Sequence, residues 1–183
     1  MASSVAPAMY NGCVENLKLI GQDISFNDFL FFAPNVQFIY LEESQVVYQN
    51  GVEVPYEVIL ANLPTVDILY FQRENQFYDF SNTVKELLKI PRFKNLYFFC
   101  CTGLNESFDI GTFFEYLKKS NQTIVALAFT GTISEEYKEK LARIVDEILD
   151  ADSPRTYAPP FIGYNGQLRV KQRAILNLYY SFL

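Results

Sequence analysis

Few side chains in this sequence have the types and spacing that enzymes use for catalysis. The chain contains no histidine, which excludes Ser-His-Asp and Cys-His catalysis and every histidine-bound metal site. Carboxylates are adjacent at Glu42-Glu43 and at Glu135-Glu136, but general acid–base catalysis needs carboxylates that converge in space with shifted pKa values. The residues therefore indicate no catalytic site, and we expect the protein not to be an enzyme.

The sequence also lacks the patterns that hold cofactors or metal ions. No glycine-rich phosphate-binding motif of the G-x-G-x-x-G or G-x-x-x-x-G-K-[ST] type occurs. The three cysteines include the adjacent pair Cys100-Cys101, which provides neither the spaced ligands of a zinc site nor a disulfide framework. In a strand the two would point to opposite faces, Cys101 into the core and Cys100 toward solvent. We expect no cofactor and no bound metal.

Length and charge narrow the class of protein further. At 183 residues the chain has the size of one domain. Its net charge of −6 argues against nucleic-acid binding, which needs a basic stripe. The densest basic group, between Lys85 and Lys94, lies near the end of a predicted helix, where cations are favoured locally. We therefore expect no nucleic-acid partner.

The distribution of apolar residues bears on the compartment. Nowhere do about 18 apolar residues follow one another, and the amino terminus has no apolar run of the signal-peptide type. Three cysteines also agree with a reducing compartment. We expect an intracellular protein, cytoplasmic or nuclear, without a membrane partner.

A segment of about thirty residues recurs along the chain, and each copy joins a helix-like stretch to an apolar strand-like stretch. The strand-like stretches share an apolar-x-x-apolar-x-apolar template. They begin at Val14, Val36, Val66, Leu96 and Ile124. This template is the strand half of a leucine-rich repeat.

Residues typical of helix starts lie between the predicted strands and after the last of them. Ser25, Asp109 and Ser134 have the side chains and positions of N-caps. Pro55 suits the first turn of the second helix, and Thr83 to Glu86 has the pattern of a capping box for the third. The chain thus alternates strands and helices throughout.

Repetition of strand, helix and parallel strand predicts an α/β fold. We expect a leucine-rich-repeat-like right-handed solenoid, with a curved, mostly parallel sheet of about five strands and helices on one face. The predicted divisions are a divergent amino-terminal segment at residues 1–13, the repeat domain at 14–152 and a carboxy-terminal tail at 153–183. The alternative is a doubly wound sheet with helices on both faces.

Alternation along the strands predicts an apolar outward face on the sheet. The candidate partner-binding residues on this face are Phe38, Tyr40, Ile68, Tyr70, Phe98 and Cys100. Soluble monomers rarely leave such a patch bare, and tyrosine is a preferred interface anchor. We expect this face to bind a protein. The alternative that stays open is coverage by the chain's own segment from Tyr157 to Leu183.

Two segments, Phe108 to Lys119 and Ile133 to Ile148, resemble the carboxy-terminal region of the nematode F-box-associated proteins, as do the repeats. The resemblance extends from about Glu15 to Ile162. In that family an amino-terminal F-box docks on the Skp-type adaptor of a cullin ubiquitin ligase, and the repeat region is thought to hold the substrate. The resemblance implies no catalytic residues. Only thirteen residues precede the first repeat, too few for an F-box, so any link to the adaptor is expected to be indirect.

These observations lead to one expected function and two alternatives. The expected function is a non-enzymatic protein–protein interaction module, related to the substrate-binding region of F-box proteins. The alternatives are a small α/β enzyme of unknown chemistry and a truncated family member without independent function. Neither the partner nor the oligomeric state follows from the residues.

Overall fold

The computed structural model describes residues 14–73, 78–119, 123–152 and 154–183. The strands are β1 (Asn16–Ile20), β2 (Asp23–Ser25), β3 (Phe38–Glu42), β4 (Gln45–Val47), β5 (Ile68–Gln72), β6 (Phe98–Thr102), β7 (Ile124–Phe129) and β8 (Phe161–Tyr164). The α-helices are α1 (Phe26–Phe32), α2 (Tyr56–Ala61), α3 (Thr83–Leu87), α4 (Ile110–Leu117), α5 (Glu135–Asp150) and α6 (Arg169–Tyr180). Short 3-10 helices at Ala33–Asn35 and Pro91–Asn95 lead into β3 and β6.

Six of the strands form one parallel sheet in the order β1-β3-β5-β6-β7-β8. Neighbours in this sheet therefore follow one another along the chain, apart from β2 and β4, which pair with each other in a small parallel sheet of their own. Parallel neighbours need a crossover connection, and a helix lies between each consecutive pair. The predicted α/β class and the mostly parallel sheet are confirmed.

The strand count differs from the prediction of about five. The sixth strand, β8, forms from Phe161–Tyr164, inside the segment predicted to be a tail, and pairs in parallel with β7. It has four residues, contains Gly163 and follows Pro159-Pro160. Glycine and proline weaken a strand signal in the sequence, so the pairing with β7 decides this element.

Strands β1, β3, β5 and β6 begin two residues later than predicted. The first apolar residue of three templates, Val36, Val66 and Leu96, is buried but precedes the hydrogen-bonded strand. Each of these side chains fills the core at the turn into the sheet. The apolar template therefore predicts correctly that these three residues are buried. It predicts the first residue of these strands with an error of two positions.

The core lies between one face of the large sheet and the helices. Alternation along the five predicted strands places ten side chains on the face toward the helices. Nine of them are buried, and Leu19 is partly buried. The nine are Leu17, Ile39, Leu41, Leu69, Phe71, Phe99, Cys101, Leu127 and Phe129. Aromatic rings link the layers, since the centre of the Phe99 ring is 5.4 Å from that of Phe93 and 6.0 Å from that of Phe113.

The predicted N-caps at Ser25, Asp109 and Ser134 are confirmed. Each side-chain oxygen accepts a hydrogen bond from the backbone N–H three residues later, at 3.1, 3.2 and 3.3 Å respectively. Such a bond satisfies a backbone donor that the first turn of a helix leaves without a partner.

The predicted capping box at Thr83 is wrong. Helix α3 already includes Thr83, and the preceding Asn82 makes no side-chain cap hydrogen bond. The Thr83 side chain instead hydrogen-bonds the carboxylate of Glu57 on α2. A contact between neighbouring helices has thus replaced a local one, which the sequence pattern could not show.

Two glycines provide a matched test of the packing at the sheet's carboxyl edge. Gly103 follows β6 with φ +76°, and a Cβ atom built there would overlap the backbone carbonyl of Arg73. Gly21 follows β1 with φ +60°, and a Cβ there would meet no atom within 4 Å. We expect Gly21→Ala to cost about 1–2 kcal/mol, because it strains the backbone alone. Gly103→Ala should cost more than about 3 kcal/mol, because it also displaces a backbone atom.

Urea denaturation of both variants measures these two losses of unfolding free energy. Equal losses would show that the chain does not approach Gly103 as closely as described.

Candidate interaction face

The six predicted binding residues lie together on the face of the sheet opposite the core. The parallel register pairs Phe38 with Ile68 and Ile68 with Phe98, and it pairs Tyr40 with Tyr70 and Tyr70 with Cys100. All six side chains are half-buried, whereas their strand neighbours on the other face are buried. We call these six residues, Phe38, Tyr40, Ile68, Tyr70, Phe98 and Cys100, the aromatic patch.

Tyr70 is the centre of the aromatic patch. The centre of its ring lies 4.8 Å from that of Phe98, in a stacked arrangement, 5.6 Å from that of Tyr40 and 5.8 Å from that of Phe38. In-register strands hold equivalent side chains about 5 Å apart, which is the spacing at which rings contact one another. Burial raises the pKa of the Tyr70 hydroxyl, so it stays protonated at neutral pH.

Polar groups border the aromatic patch on the side where the strands end. The Tyr40 hydroxyl donates to Glu42 Oε2 at 2.9 Å and to Gln72 Oε1 at 3.1 Å. The hydrogen bond to Glu42, followed by burial, raises the pKa of Tyr40 because both favour its protonated form. The ammonium nitrogen of Lys18, on β1, lies 4.9 Å from the centre of the Tyr40 ring.

The predicted set did not include Lys18, Glu42 or Gln72. Lys18 occupies the same row as Tyr40, and Glu42 and Gln72 occupy the next outward position along their strands. Strand alternation alone would have placed them on this face. Their roles depend on side-chain contacts with Tyr40, namely a cation–π contact from Lys18 and hydrogen bonds to Glu42 and Gln72, which no residue pattern displays.

Helix α6 covers one end of the outward face. Tyr179, near the end of α6, is buried, and its ring centre is 6.1 Å from that of Phe161. Phe161 pairs in register with Ala126 and so belongs to the outward face. Burial raises the pKa of Tyr179, and the nearby Cys100 and Tyr70 raise it further. The helix therefore reaches the rim of the aromatic patch.

The strands at this covered end carry small side chains on the outward face, namely Ala126, Ala128 and Gly163. A helix can approach such strands closely, whereas the rings on β3, β5 and β6 leave no comparable space. Coverage by the carboxy-terminal segment, which the sequence left open, thus applies to the β7–β8 end. The rings of β3 and β5 stay half-exposed.

Cys100 does not have the character of a reactive thiol. Burial raises its pKa to about 11, so at neutral pH it is almost entirely protonated. Burial also raises the pKa of the fully covered Cys101. Both cysteines are free.

A cleft of about 460 Å³ lies where α4 and α5 begin, and Glu106, Asp109 and Lys140 are among its lining residues. Its acidic groups already serve the helix starts. Glu106 Oε2 accepts from the backbone N–H of Ser134 at 2.8 Å, and Asp109 accepts from that of Thr112. Hydrogen bonds from Ser134 lower the pKa of Glu106, and hydrogen bonds from the side chain and backbone of Thr112 lower that of Asp109. The cleft thus presents ionised carboxylates in capping positions.

Among the described residues, no group of three or more His, Cys, Asp or Glu side chains lies close enough to hold a metal ion. Within the same ranges, no helix has the length and apolar character needed to cross a lipid bilayer.

Comparisons with protein-family models, curated proteins and solved structures found no match to this chain. The resemblance to the nematode F-box-associated proteins therefore stays an expectation. The case for the site rests on its own geometry.

Labelling of Cys100 tests whether α6 reaches the aromatic patch. We expect Tyr179→Ala to increase the rate of iodoacetamide labelling at pH 8 by about tenfold, because solvent would then reach the thiol and its pKa would fall. Tyr180→Ala is the matched control, since Tyr180 is 61% exposed. Both variants carry Cys13→Ser, which removes a cysteine that lies outside the described residues. Identical rates in the two variants would contradict the placement of Tyr179.

The aromatic patch should contribute little to folding. We expect the double variant Tyr40→Ala, Tyr70→Ala to lose about 1–2 kcal/mol of unfolding free energy, because both rings are half-exposed. Phe99→Ala, one strand away on the buried face, should lose about 3–5 kcal/mol. Chemical denaturation compares the two losses. A loss in the double variant as large as that of Phe99→Ala would mean that these rings belong to a core.

Proposed function

We propose that this chain is a non-enzymatic protein–protein interaction module that binds its partner through the aromatic patch. One observation carries the proposal: a cluster of tyrosine and phenylalanine rings lies half-exposed on the sheet face opposite the core. Tyrosine contributes much binding energy at protein interfaces, since its ring gives a large contact area and its hydroxyl gives a polar contact.

The finer fold that we propose is a leucine-rich-repeat-like right-handed solenoid, with the helices that connect the sheet strands on one face. Helix α6 departs from the expected one-sided arrangement, because it packs on the outward face at Phe161. Residues 31–40, 61–70 and 91–100 have the same succession of buried, half-buried and exposed positions. Equivalent hydrogen bonds also recur at the turn into each strand. Phe38, Ile68 and Phe98 each donate their backbone N–H to the carbonyl of the residue directly before the preceding strand of the large sheet. These acceptors are Glu15, Gln37 and Asp67 respectively.

A solenoid of this kind supports a binding role for the outward face. Successive units present equivalent side chains side by side, and the strand side of such arrays is an extended surface for partners. The patch rings come from three successive strands, β3, β5 and β6. Deletion of one unit would therefore remove part of the surface along with part of the scaffold.

The segments that resemble the F-box-associated proteins belong to the helical side. Phe108 to Lys119 contains α4, and Ile133 to Ile148 contains most of α5. The two segments contact each other, since the Tyr137 hydroxyl donates to the Phe108 carbonyl at 2.6 Å. In our proposal they build the scaffold, and the outward face holds a substrate of a cullin ubiquitin ligase inside the cell. A link to the Skp-type adaptor would then be indirect.

Affinity purification of the tagged chain from its own cells tests the proposal. We expect Tyr40→Ala, Tyr70→Ala to lose a partner that the wild-type chain retains, with at least about a tenfold drop in recovery. The matched control is Leu30→Ala, Phe31→Ala, which removes two exposed apolar side chains from α1 instead. Equal recovery with the wild type and the patch variant would exclude the aromatic patch as the binding surface. Recovery of a cullin and a Skp-type adaptor would support the ligase role.

A further inference from the structure

Side-chain oxygens that can accept hydrogen bonds line one border of the aromatic patch. No lysine or arginine among the described residues forms an ion pair with the carboxylate at this border. Glu42 receives a hydrogen bond from the Tyr40 hydroxyl. The ion pairs of the described lysines and arginines involve other carboxylates. Gln72, in register with Glu42 on the next strand, is exposed and adds an amide oxygen. This edge of the face is therefore rich in hydrogen-bond acceptors and negative in charge.

The tyrosine rings beside these oxygens already attract a cation. Lys18 places its ammonium group 4.9 Å from the centre of the Tyr40 ring, within the range of a cation–π interaction. Tyr70, the central ring, already stacks on Phe98 and contacts Tyr40 and Phe38. The Tyr40 hydroxyl donates to Glu42, so a flat cation that replaced Lys18 on the Tyr40 ring would lie beside the Glu42 carboxylate.

We propose that the aromatic patch recognises a partner segment that presents an arginine, with its guanidinium stacked on Tyr40 in place of Lys18 and hydrogen-bonded to Glu42. This inference rests on the proposed function and names the chemistry of the partner. Arginine fits better than lysine, because a planar guanidinium stacks on a ring while its N–H groups bind a carboxylate in pairs. Apolar side chains that flank the arginine would contact Phe38, Ile68 and Phe98. The net charge of −6 favours the approach of such a segment.

Three peptides of one length, with fluorescein on the amino terminus, serve as probes: fluorescein-(Leu-Arg)₃-amide, its lysine counterpart and its citrulline counterpart. Citrulline keeps the shape of arginine but not its charge. By fluorescence anisotropy we expect the arginine peptide to bind at least about tenfold more tightly than the citrulline peptide, and more tightly than the lysine peptide. Its affinity should fall as the salt concentration rises.

Two variants locate the site. Glu42→Gln should weaken binding of the arginine peptide by about tenfold, because it removes the charge but keeps an acceptor for the Tyr40 hydroxyl. Glu139→Gln is the matched control, since it changes the net charge equally at an exposed position on α5. Lys18→Ala should strengthen binding about twofold or more, because it removes a competing cation. This gain cannot arise from unfolding.

Equal binding of the arginine and citrulline peptides would overturn the inference, as would equal losses in Glu42→Gln and Glu139→Gln. Failure of all three peptides to bind would also overturn it. The proposed function would then stand if the double tyrosine variant still lost its partner in the purification. It would fall as well if that partner were retained.

Discussion

The in-register pairing of successive parallel strands is the constraint on which the rest of the structure depends. It sets Ile39 beside Leu69 and Leu69 beside Phe99 on the core side. On the other side it sets Tyr40 beside Tyr70. A shift of one residue in any strand would exchange the two faces and expose the core ladder. The aromatic patch and the buried core are therefore two consequences of one register.

The outward face is divided by the size of its side chains. Alanine and glycine on β7 and β8 leave room for α6, whose Ile175 and Tyr179 are buried. An ion pair of 2.5 Å between Lys171 and Asp146 joins α6 to α5. Rings on β3, β5 and β6 fill the rest of the face themselves. The same chain thus closes one part of its sheet and leaves the other half-exposed, and that difference defines where a partner has access.

Charged and polar groups at the border of the aromatic patch restrict which partners can bind to a surface that is otherwise apolar. The hydrogen bond from Tyr40 to Glu42 and Gln72 ties the rings to an acceptor-rich border. Lys18, on the edge strand β1, is in register with Tyr40 and keeps a cation on its ring. A partner that met only the rings would leave the Glu42 carboxylate partly desolvated and without a counter-charge, which is unfavourable. This cost favours partners that bring a cation.

Local residue patterns were enough to predict the α/β class, the alternation of strands and helices, the two faces of β3, β5 and β6, and the caps at Ser25, Asp109 and Ser134. These features follow from local periodicity and from bonds between residues close along the chain. The folded chain was needed to show that Phe161–Tyr164 is a sixth strand, that the Thr83 side chain contacts Glu57 and that α6 covers Phe161 but not Tyr40. Each of these depends on contacts between distant segments. The free energy of such contacts depends on which distant segments pack together, and a local pattern of residues does not contain this information.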